Sequence, residues 1–451
     1  MLDILILLLL VVAIVAVTAK LKISPFLALL GAAFVGAFAF RLPAEEIIPT
    51  ITTAFGNTMG SIGLVILFGT MIGVILERSG GAIAMADGLI KVIGTRFPTL
   101  TMSVIGYIVS IPVFCDSGFI ILNSLRKAMA ERAKVSLVAM SIALMTGLYA
   151  THTMVPPTPG PLAAAANLNV VDSLGLLIAL GLVVAAVSAG AALLYANSFL
   201  KKDIELLPLA AEDTEVSYEE LRAEYGKLPS GFMAFLPILL PIVLICLASI
   251  AKLPSAPLGA GTGYEVSVFL GTPVIALALG LIAAIFLLRG HGKLSRFNTQ
   301  ISDSILLAAP ILLITCAGAA FGGVLGKSSI TGFLSENLAT LGLGIAVPFI
   351  ISAALKTAQG SSTVAMVTTS AMMLPLLEPL GLNQGAGPVL AVLAIGAGAM
   401  VVSHANDSFF WVVSQFSRIP TATAYRTLTP ATAIQGVSGF IAVWGLSLVL
   451  I

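Results

Sequence analysis

Long apolar stretches, separated by short polar, glycine-rich or proline-rich segments, run through almost the whole chain. A helix of about 17 to 25 apolar residues is long enough to cross a hydrocarbon core of roughly 30 Å. The alternation of apolar and polar residues that marks a transmembrane β-barrel is not visible. The pattern predicts helical spans, of which the fourth and the ninth are broken, at 3–19, 23–41, 59–76, 135–166, 170–198, 231–251, 266–288, 303–325, 387–415 and 430–451.

Two further pairs of apolar segments are each split by a short polar tip. We expect each pair to form a re-entrant hairpin, which enters and leaves the membrane on the same side. The first tip is predicted at 115–118 and the second at 357–363. The arms of the two hairpins are 97–113, 118–130, 344–357 and 360–376.

The composition supports a polytopic, all-α membrane protein. Hydrophobic residues make up 58% of the chain, charged residues only 10%, and the mean hydropathy is +1.09; soluble domains carry roughly 25% charge. The first apolar segment lacks a basic start and a small-residue cleavage site, so we interpret it as a span and not as a signal peptide. Cys115, Cys246 and Cys316 lie far apart and show no metal-binding or redox spacing, so no metal site and no cofactor are predicted. The net charge of +1 gives no indication of nucleic-acid binding.

The positions of the basic residues test this layout. With the predicted spans and hairpins, 18 of the 22 Lys and Arg residues fall on one face of the membrane. Arg41, Lys252 and Lys327 fall on the opposite face, and Lys356 lies near a hairpin tip. The positive-inside rule places the basic face in the cytoplasm. Both termini are therefore predicted outside, in a bacterial-type cytoplasmic (inner) membrane.

One long hydrophilic segment, 201–230, divides the chain into two halves, 1–200 and 231–451, and is predicted to be a cytoplasmic linker. The halves match at an offset of 248 to 252 positions. The matched positions are Pro25 with Pro273, Gly69 with Gly318, Gly73 with Gly322, Arg78 with Lys327, Asp87 with Glu336, Pro98 with Pro348, and His152 with His404.

Each half contains five spans and one hairpin, which is an odd number of crossings. The second copy must then be inverted relative to the first. The predicted fold is thus two inverted repeats of about five spans, each with one re-entrant hairpin and one broken helix. This architecture is typical of alternating-access transporters, whose discontinuous elements meet near the middle of the membrane.

The segment ATHTMVPPTPGP, residues 150–161, places one histidine and four prolines at membrane depth. A proline inside a helix costs about 3 kcal/mol, and backbone groups freed in lipid cost several kcal/mol more. Such a break persists where it is buried in protein or lines a cavity. The matching break in the second half is SHANDS, residues 403–408. The half-helix N-termini at such breaks carry a partial positive charge, which suits an organic anion.

Asp116 and Asp407 are the carboxylates expected inside the membrane. A charge at the bilayer centre costs roughly 2.5–3.5 kcal/mol even on lenient scales, so such residues usually have a function. A carboxyl group withdrawn from water can exchange a proton near neutral pH, which suits a proton-coupled step. The alternative is that each aspartate only caps a helix, Asp407 the half-helix that follows it and Asp116 the second arm of its hairpin.

The breaks and tips supply the candidate substrate-binding residues. These are Ser117, Gly118, His152, Thr153, Pro156, Pro157, Gly360, Ser361, Ser362, Thr363, His404 and Asn406. Both histidines could instead be structural donors, and the hydroxyls at 361–363 could only cap a helix. Lys356 could neutralise an anionic substrate or extend its amine towards the membrane surface. We expect the glycine runs 69/73 and 318/322/326 to serve helix packing, and Phe409, Phe410 and Trp411 to do so as well, with a sugar-binding platform as the alternative for these aromatic residues.

Other function classes are disfavoured. A membrane-embedded hydrolase could use Ser403, His404 and Asp407, or Cys115 with His152, but no catalytic motif accompanies these residues. A channel would need a charged selectivity ring, and an ATP-driven pump a phosphate-binding loop, and neither pattern is visible. The sequence therefore predicts a transporter and no enzyme.

Three motifs, ATHTMVPPTPGP, KTAQGSSTVAM and VSHANDSFFWVVSQF, resemble the gluconate permease family of the ion-transporter superfamily, and the resemblance covers nearly the whole chain. It implies proton-coupled uptake of gluconate or a related small sugar acid or hydroxy acid. It also implies an elevator-like motion of the hairpin-bearing domain and a homodimer.

The chain differs from the family pattern at two places. Asp116-Ser117-Gly118 stands where members often carry Glu-Val-Gly, and Thr158 stands where they carry histidine. A short aldonate or D-serine therefore stays open as the substrate. Sodium stays open as the coupling ion, because free carbonyls and hydroxyls at hairpin tips also suit Na⁺.

Overall fold

The computed structural model describes residues 2–17, 21, 23–202, 204–208, 218–252, 259, 261–288, 293–328 and 344–451. Lys20, Lys22, Arg289, Glu336 and part of the linker lie outside the described residues. Within them all regular structure is helical, which confirms the all-α membrane class. Six helices are long and apolar enough to cross a membrane, and a bent pair would make a seventh crossing.

The first half contains ten α-helices in its described part. They are α1 Leu2–Val15, α2 Pro25–Ala39, α3 Ala44–Arg78, α4 Gly81–Ile93, α5 Pro98–Val109, α6 Cys115–Ile121, α7 Asn123–Ala133, α8 Leu137–Met154, α9 Pro159–Asn167 and α10 Leu174–Asn197. The rest of the described chain continues with α11 Tyr218–Glu224, α12 Gly231–Ala251, α13 Thr262–Leu270, α14 Pro273–Ile285, α15 Lys293–Lys327, α16 Ala346–Gln359, α17 Ser362–Met373, α18 Gly387–Gly398, α19 Ser408–Phe416 and α20 Thr421–Leu450.

Several predicted spans begin too late. The segments predicted at 59–76, 303–325 and 430–451 belong to helices that start 9 to 15 residues earlier, at Ala44, Lys293 and Thr421. The early turns carry polar residues that lower the hydropathy but still fit a helix. Thr52, for example, donates its hydroxyl to the carbonyl of Ile48 at 2.8 Å, one turn back. A hydropathy window therefore measures the apolar part of such a helix and not its length.

Three local predictions need correction. The turn of the first hairpin lies at 110–114, around Pro112, and the predicted tip 115–118 forms the first turn of α6. The arm predicted at 118–130 is two helices, α6 and α7. The span predicted at 266–288 is the pair α13 and α14, bent by 67° where Pro273 starts the second helix. Helix α4 and the linker helix α11 were not predicted.

The two halves share an order of helices. Helices α3 and α15 contain 35 residues each, and their first and last residues are 249 positions apart. They pack against each other along their length. A close glycine contact also recurs: a Cβ on Gly147 of α8 would lie 2.1 Å from the carbonyl oxygen of Ser103 on α5, and one on Gly398 of α18 would lie 2.8 Å from Cβ of Ser352 on α16. These contacts fit the proposed repeat.

The broken helix α8–α9 occupies the centre of the molecule. All of its most apolar window is buried inside the protein. Helix α8 packs against α5, α6, α10 and α18, and α9 packs against α3 and α17. Both breaks and both hairpins are thereby brought to one central region.

Candidate functional site

An ion pair between α16 and the break before α19 forms the centre of the site. Lys356 Nζ lies 2.6 Å from Asp407 Oδ2, and the two side chains are 0% and 6% exposed. The ammonium also donates to the carbonyl of Gly360 and lies 5.7 Å from the ring centroid of Tyr149. The alternative that Lys356 extends its amine towards the membrane surface is wrong, because these partners hold the amine inside the protein.

The carboxylate of Asp407 accepts two further hydrogen bonds. Its Oδ1 accepts a hydrogen bond from the backbone N–H of Phe409 at 3.1 Å, which confirms the predicted cap on α19. Its Oδ2 accepts from the hydroxyl of Ser403 at 2.5 Å as well as from Lys356. A carboxylate at a helix N-terminus is stabilised by the free N–H groups and by the helix dipole. Asp407 is therefore both paired and hydrogen bonded.

The second hairpin turns at Gly360 because this residue has φ +84°, which lies in the left-handed region that favours glycine. A Cβ at this position would lie 2.0 Å from the carbonyl oxygen of Asn406. Only glycine lets the two backbones approach so closely. Ser361 then caps α17 by accepting from the N–H of Val364 at 3.3 Å, as one of the sequence alternatives expected.

His404 and Asn406 bind the same carbonyl at the end of α16. The Nε2 of His404 lies 2.9 Å from the carbonyl oxygen of Thr357, and Nδ2 of Asn406 donates to it at 2.8 Å. Both side chains thus hold the break 403–407 against the hairpin tip. The side chain of Asn406 is exposed and His404 is half-buried, so this edge of the site is open.

Asp116 lies in the first turn of α6, facing α19. The hydroxyl of Ser408 hydrogen-bonds to its carboxyl group, and Asp407 and Lys356 lie near enough to act on it electrostatically. Its Oδ1 is buried and has no hydrogen-bond partner. The N-cap position of α6 is Phe114, so the alternative that Asp116 caps this arm is wrong.

The carboxyl group of Glu77 is connected to the site through Ser117. Ser117 hydrogen-bonds to the side chain of Glu77, which is half-buried near the end of α3. Sequence reasoning missed Glu77, since it directly precedes Arg78 and looks like the polar end of a span. Only the packing of α3 against the first hairpin reveals it.

His152 occupies the last turn of α8 and is 5% exposed. Its Nδ1 is buried and has no partner, and its ring lies 6.0 Å from that of Phe114, centroid to centroid. Asp407 and Lys356 act on it electrostatically. His152 therefore lies beside the ion pair with one nitrogen unused, whereas His404 is hydrogen bonded.

Several candidate residues face packing contacts instead. The hydroxyl of Thr153 donates within its own helix to the carbonyl of Tyr149. Pro156 and Pro157 line an apolar crevice with Val65 and Pro241, away from the ion pair. A further group makes close helix contacts: Gly118 against Leu148, Thr363 against Gly160, and Phe409 against Phe119.

The second hairpin also holds a polar group that sequence reasoning missed. Both atoms of the Gln359 side-chain amide are buried without a hydrogen-bond partner. Gln359 directly precedes Gly360, whose carbonyl binds Lys356. In the described residues no three His, Cys, Asp or Glu side chains form a group that could hold a metal ion.

The comparisons with known proteins identify the family of the chain. The model of the family described as GntP family permease matches residues 2–449. An uncharacterized permease of Haemophilus influenzae is 35% identical, over 96% of this chain and 90% of its own. A gluconate permease of Pseudomonas aeruginosa is 30% identical, over 98% and 96%. The D-serine transporter DsdX of Escherichia coli is 31% identical, over 98% and 97%.

Solved transporter structures share the fold. The YdaH transporter of Alcanivorax borkumensis superposes with a TM-score of 0.62 at 15% identity, over 90% of each chain. MtrF of Neisseria gonorrhoeae, from a class of antimetabolite efflux pumps, gives a TM-score of 0.62 at 14% identity, over 95% of this chain and 96% of its own. The family model and the relatives are permeases and transporters, so the protein is a transporter and not an enzyme. With a family model matched over almost the whole chain, this protein belongs to the GntP family of permeases.

Proposed function

We propose that the protein is a secondary active transporter that takes up gluconate, or a related small sugar acid or hydroxy acid, together with protons. The observation that carries this proposal is the unequal state of the two aspartates. Asp407 is bound by Lys356 and Ser403, whereas Asp116 has an unpartnered oxygen and no ion pair in the described site. A buried carboxylate without a cationic partner is costly, and a proton removes that cost.

The substrate lies, in this proposal, between the hairpin tip 360–361, the break 403–407 and the first turn of α6. Exposed Asn406 and Ser408 border this region, and His152 offers an unused nitrogen. The N-terminal ends of α17 and α19 meet there and favour an anion. Asp116 takes up the proton, and Asp407 positions Lys356 and the start of α19.

Ion pairs at both ends of the helices support the proposed topology, with the linker in the cytoplasm and both termini outside. Each pair joins residues that the positive-inside rule places on the same side of the membrane. The pairs on the cytoplasmic side are Arg78 with Asp303 and Arg222 with Asp87. The pairs on the outer side are Lys252 with Asp172 and Lys327 with Glu46.

Small residues between α3 and the discontinuous elements support an elevator-like motion. A Cβ on Gly69 would lie 3.0 Å from the carbonyl oxygen of Pro157, and one on Gly73 would lie 2.4 Å from that of Pro112. A smooth glycine face allows backbones to pass closely. In the proposal the two hairpins and broken helices, as inverted repeats, move together past α3 and α15 in each protomer of a homodimer.

The test is uptake of radiolabelled gluconate by purified protein in liposomes, under an inward proton gradient, with and without Na⁺. Unlabelled sugar acids, short aldonates and D-serine serve as competitors. We expect accumulation that requires the proton gradient and not Na⁺. Uptake that requires Na⁺ instead would refute proton coupling, and a stronger competitor than gluconate would name a different substrate.

Variants separate the two aspartates. Asp116→Asn should abolish proton-driven accumulation but retain exchange of labelled for unlabelled substrate, which needs no proton transfer. Asp407→Asn should weaken both activities because it disturbs the tip. Asp172→Asn, whose side chain is 99% exposed, is the matched surface control. If Asp116→Asn still accumulated substrate with the proton gradient, Asp116 would not be the proton carrier.

A further inference from the structure

Among the described residues, Gln359 is the only side chain with two buried polar atoms that lack a hydrogen-bond partner. Both its donor and its acceptor atom are buried, and neither has a hydrogen-bond partner. An unsatisfied buried polar group costs about 1–3 kcal/mol, and native proteins keep few of them. Two such atoms on one side chain, at the turn of a hairpin, indicate a group whose hydrogen bonds are supplied by a ligand.

Gln359 lies at the turn of the second hairpin, beside the proposed binding region. It ends α16, one turn after Lys356, and precedes the turn residue Gly360. The backbone of Gly360 lies against that of Asn406, whose side chain is exposed. Oδ1 of Asp116 and Nδ1 of His152 are unpartnered as well, and the ion pair acts electrostatically on both groups. Three separate helices, α6, α8 and α16, thus carry unpartnered polar atoms, and α16 also carries Lys356 of the ion pair.

The chemistry of the amide restricts which ligand groups can satisfy both its donor and its acceptor. Its oxygen accepts a hydrogen bond and its NH₂ group donates. A lone carboxylate satisfies only the NH₂ group, because it has no proton to give. A hydroxyl group beside a second oxygen satisfies both, since the hydroxyl donates to Oε1 while the neighbouring oxygen accepts from Nε2. Hydroxy acids and polyols contain this pair of groups, and simple carboxylates lack it.

We propose that Gln359 forms hydrogen bonds with a substrate hydroxyl group and so selects hydroxylated acids over the analogues that lack this hydroxyl. This inference rests on the proposed binding region between the tips, but not on the identity of the coupling ion. A site built to bind a hydroxyl rejects an analogue that lacks it more strongly than an apolar pocket rejects an added group.

The experiment compares Gln359→Met, which keeps the length of the side chain, with Gln384→Met as a matched control at an exposed glutamine. Substrate exchange in proteoliposomes is measured without any ion gradient. The competitors are gluconate, 2-deoxygluconate and 3-deoxygluconate. In the wild type we expect at least one deoxy compound to compete about 10-fold more weakly than gluconate. In Gln359→Met this ratio should fall to about one, while the control keeps the wild-type ratio.

A second measurement needs no substrate, so it stands even if the proposed function fails. Without ligand, Gln359→Met should melt at or above the wild-type temperature, because it removes an unsatisfied amide. A lower melting temperature, or a protein that does not fold, would mean that the amide has a structural partner and would overturn the inference. Unchanged discrimination, or an equal loss for all three competitors, would overturn it as well.

Discussion

Replacing either Lys356 or Asp407 in their buried ion pair should lower the stability of the protein. Replacing both should cost less than the sum of the two single losses. The pair is 2.6 Å long and nearly fully buried. Lys356→Met leaves the carboxylate with only Ser403 and the N–H of Phe409, and Asp407→Asn leaves the ammonium without its ion-pair partner. Removing one partner of a buried pair typically costs about 3–5 kcal/mol. The double variant leaves no buried charge at this position.

The magnitude can be expressed as a melting temperature. An unfolding entropy of about 2.1 cal/mol/K per residue gives about 1 kcal/mol/K for a chain of this length, so each single variant should lower the melting temperature by about 3–5 °C. The double variant should lose less than the two single losses together, by at least about 1 kcal/mol of coupling. Thermal unfolding of the three purified variants and the wild type measures this cycle.

Two outcomes would refute the reasoning about the pair. If the losses of the two single variants added up in the double variant, the charges would not stabilise each other. If Lys356→Met melted like the wild type, the lysine would not be held in the protein as described. In the expected case, the double variant also shows whether transport needs the pair itself, because its stability suffices for an exchange assay.

Two further predictions concern the tip and the linker. Gly360→Ala should lower stability more than Gly381→Ala and abolish exchange. Both glycines have positive φ, which costs about 1–2 kcal/mol for alanine, but only Gly360 lies against Asn406, whereas a Cβ on Gly381 would meet no heavy atom within 4 Å; equal melting temperatures would contradict this. Tyr218 donates to Asp87 at 2.5 Å, and burial together with this carboxylate raises the pKa of the phenol. Its contribution to stability should persist below the ordinary tyrosine value of about 10 and decline as pH rises through the raised pKa, and Tyr218→Phe should abolish this decline in melting scans from pH 9 upward.

The sequence predicted those features of the site that depend on local chemistry. The prolines that follow Met154 end α8 whatever the helix packs against. Asp407 caps the helix that follows it because its side chain can reach the N–H of Phe409. A glycine followed by two serines likewise predicts a turn and a cap at 360–362. Such features need only a few consecutive residues, and a single chain contains enough information for them.

The features that escaped prediction depend on contacts between distant segments. Lys356 and Asp407 are 51 positions apart, and nothing in either segment shows that the amine is turned inward. Glu77 meets Ser117 only because α3 packs against the first hairpin. Gln359 was overlooked for a different reason: a glutamine among threonine, alanine and serine does not stand out, and its lack of partners is a property of the folded protein alone.

If the proposed proton coupling holds, the ion pair gives a reason why one proton for each substrate anion would be sufficient. Because Lys356 neutralises Asp407, the ion pair and Asp116 together carry one negative charge when Asp116 is ionised, and Glu77 has Arg78 beside it. A monovalent acid would bring a second negative charge to the same buried region. A proton on Asp116 offsets that charge, so the loaded site then carries one negative charge, as the empty site does. The barrier for moving charge through the apolar interior is thereby similar for the loaded and the empty state. Without the lysine, both states would carry one more negative charge, and each crossing would be correspondingly more costly.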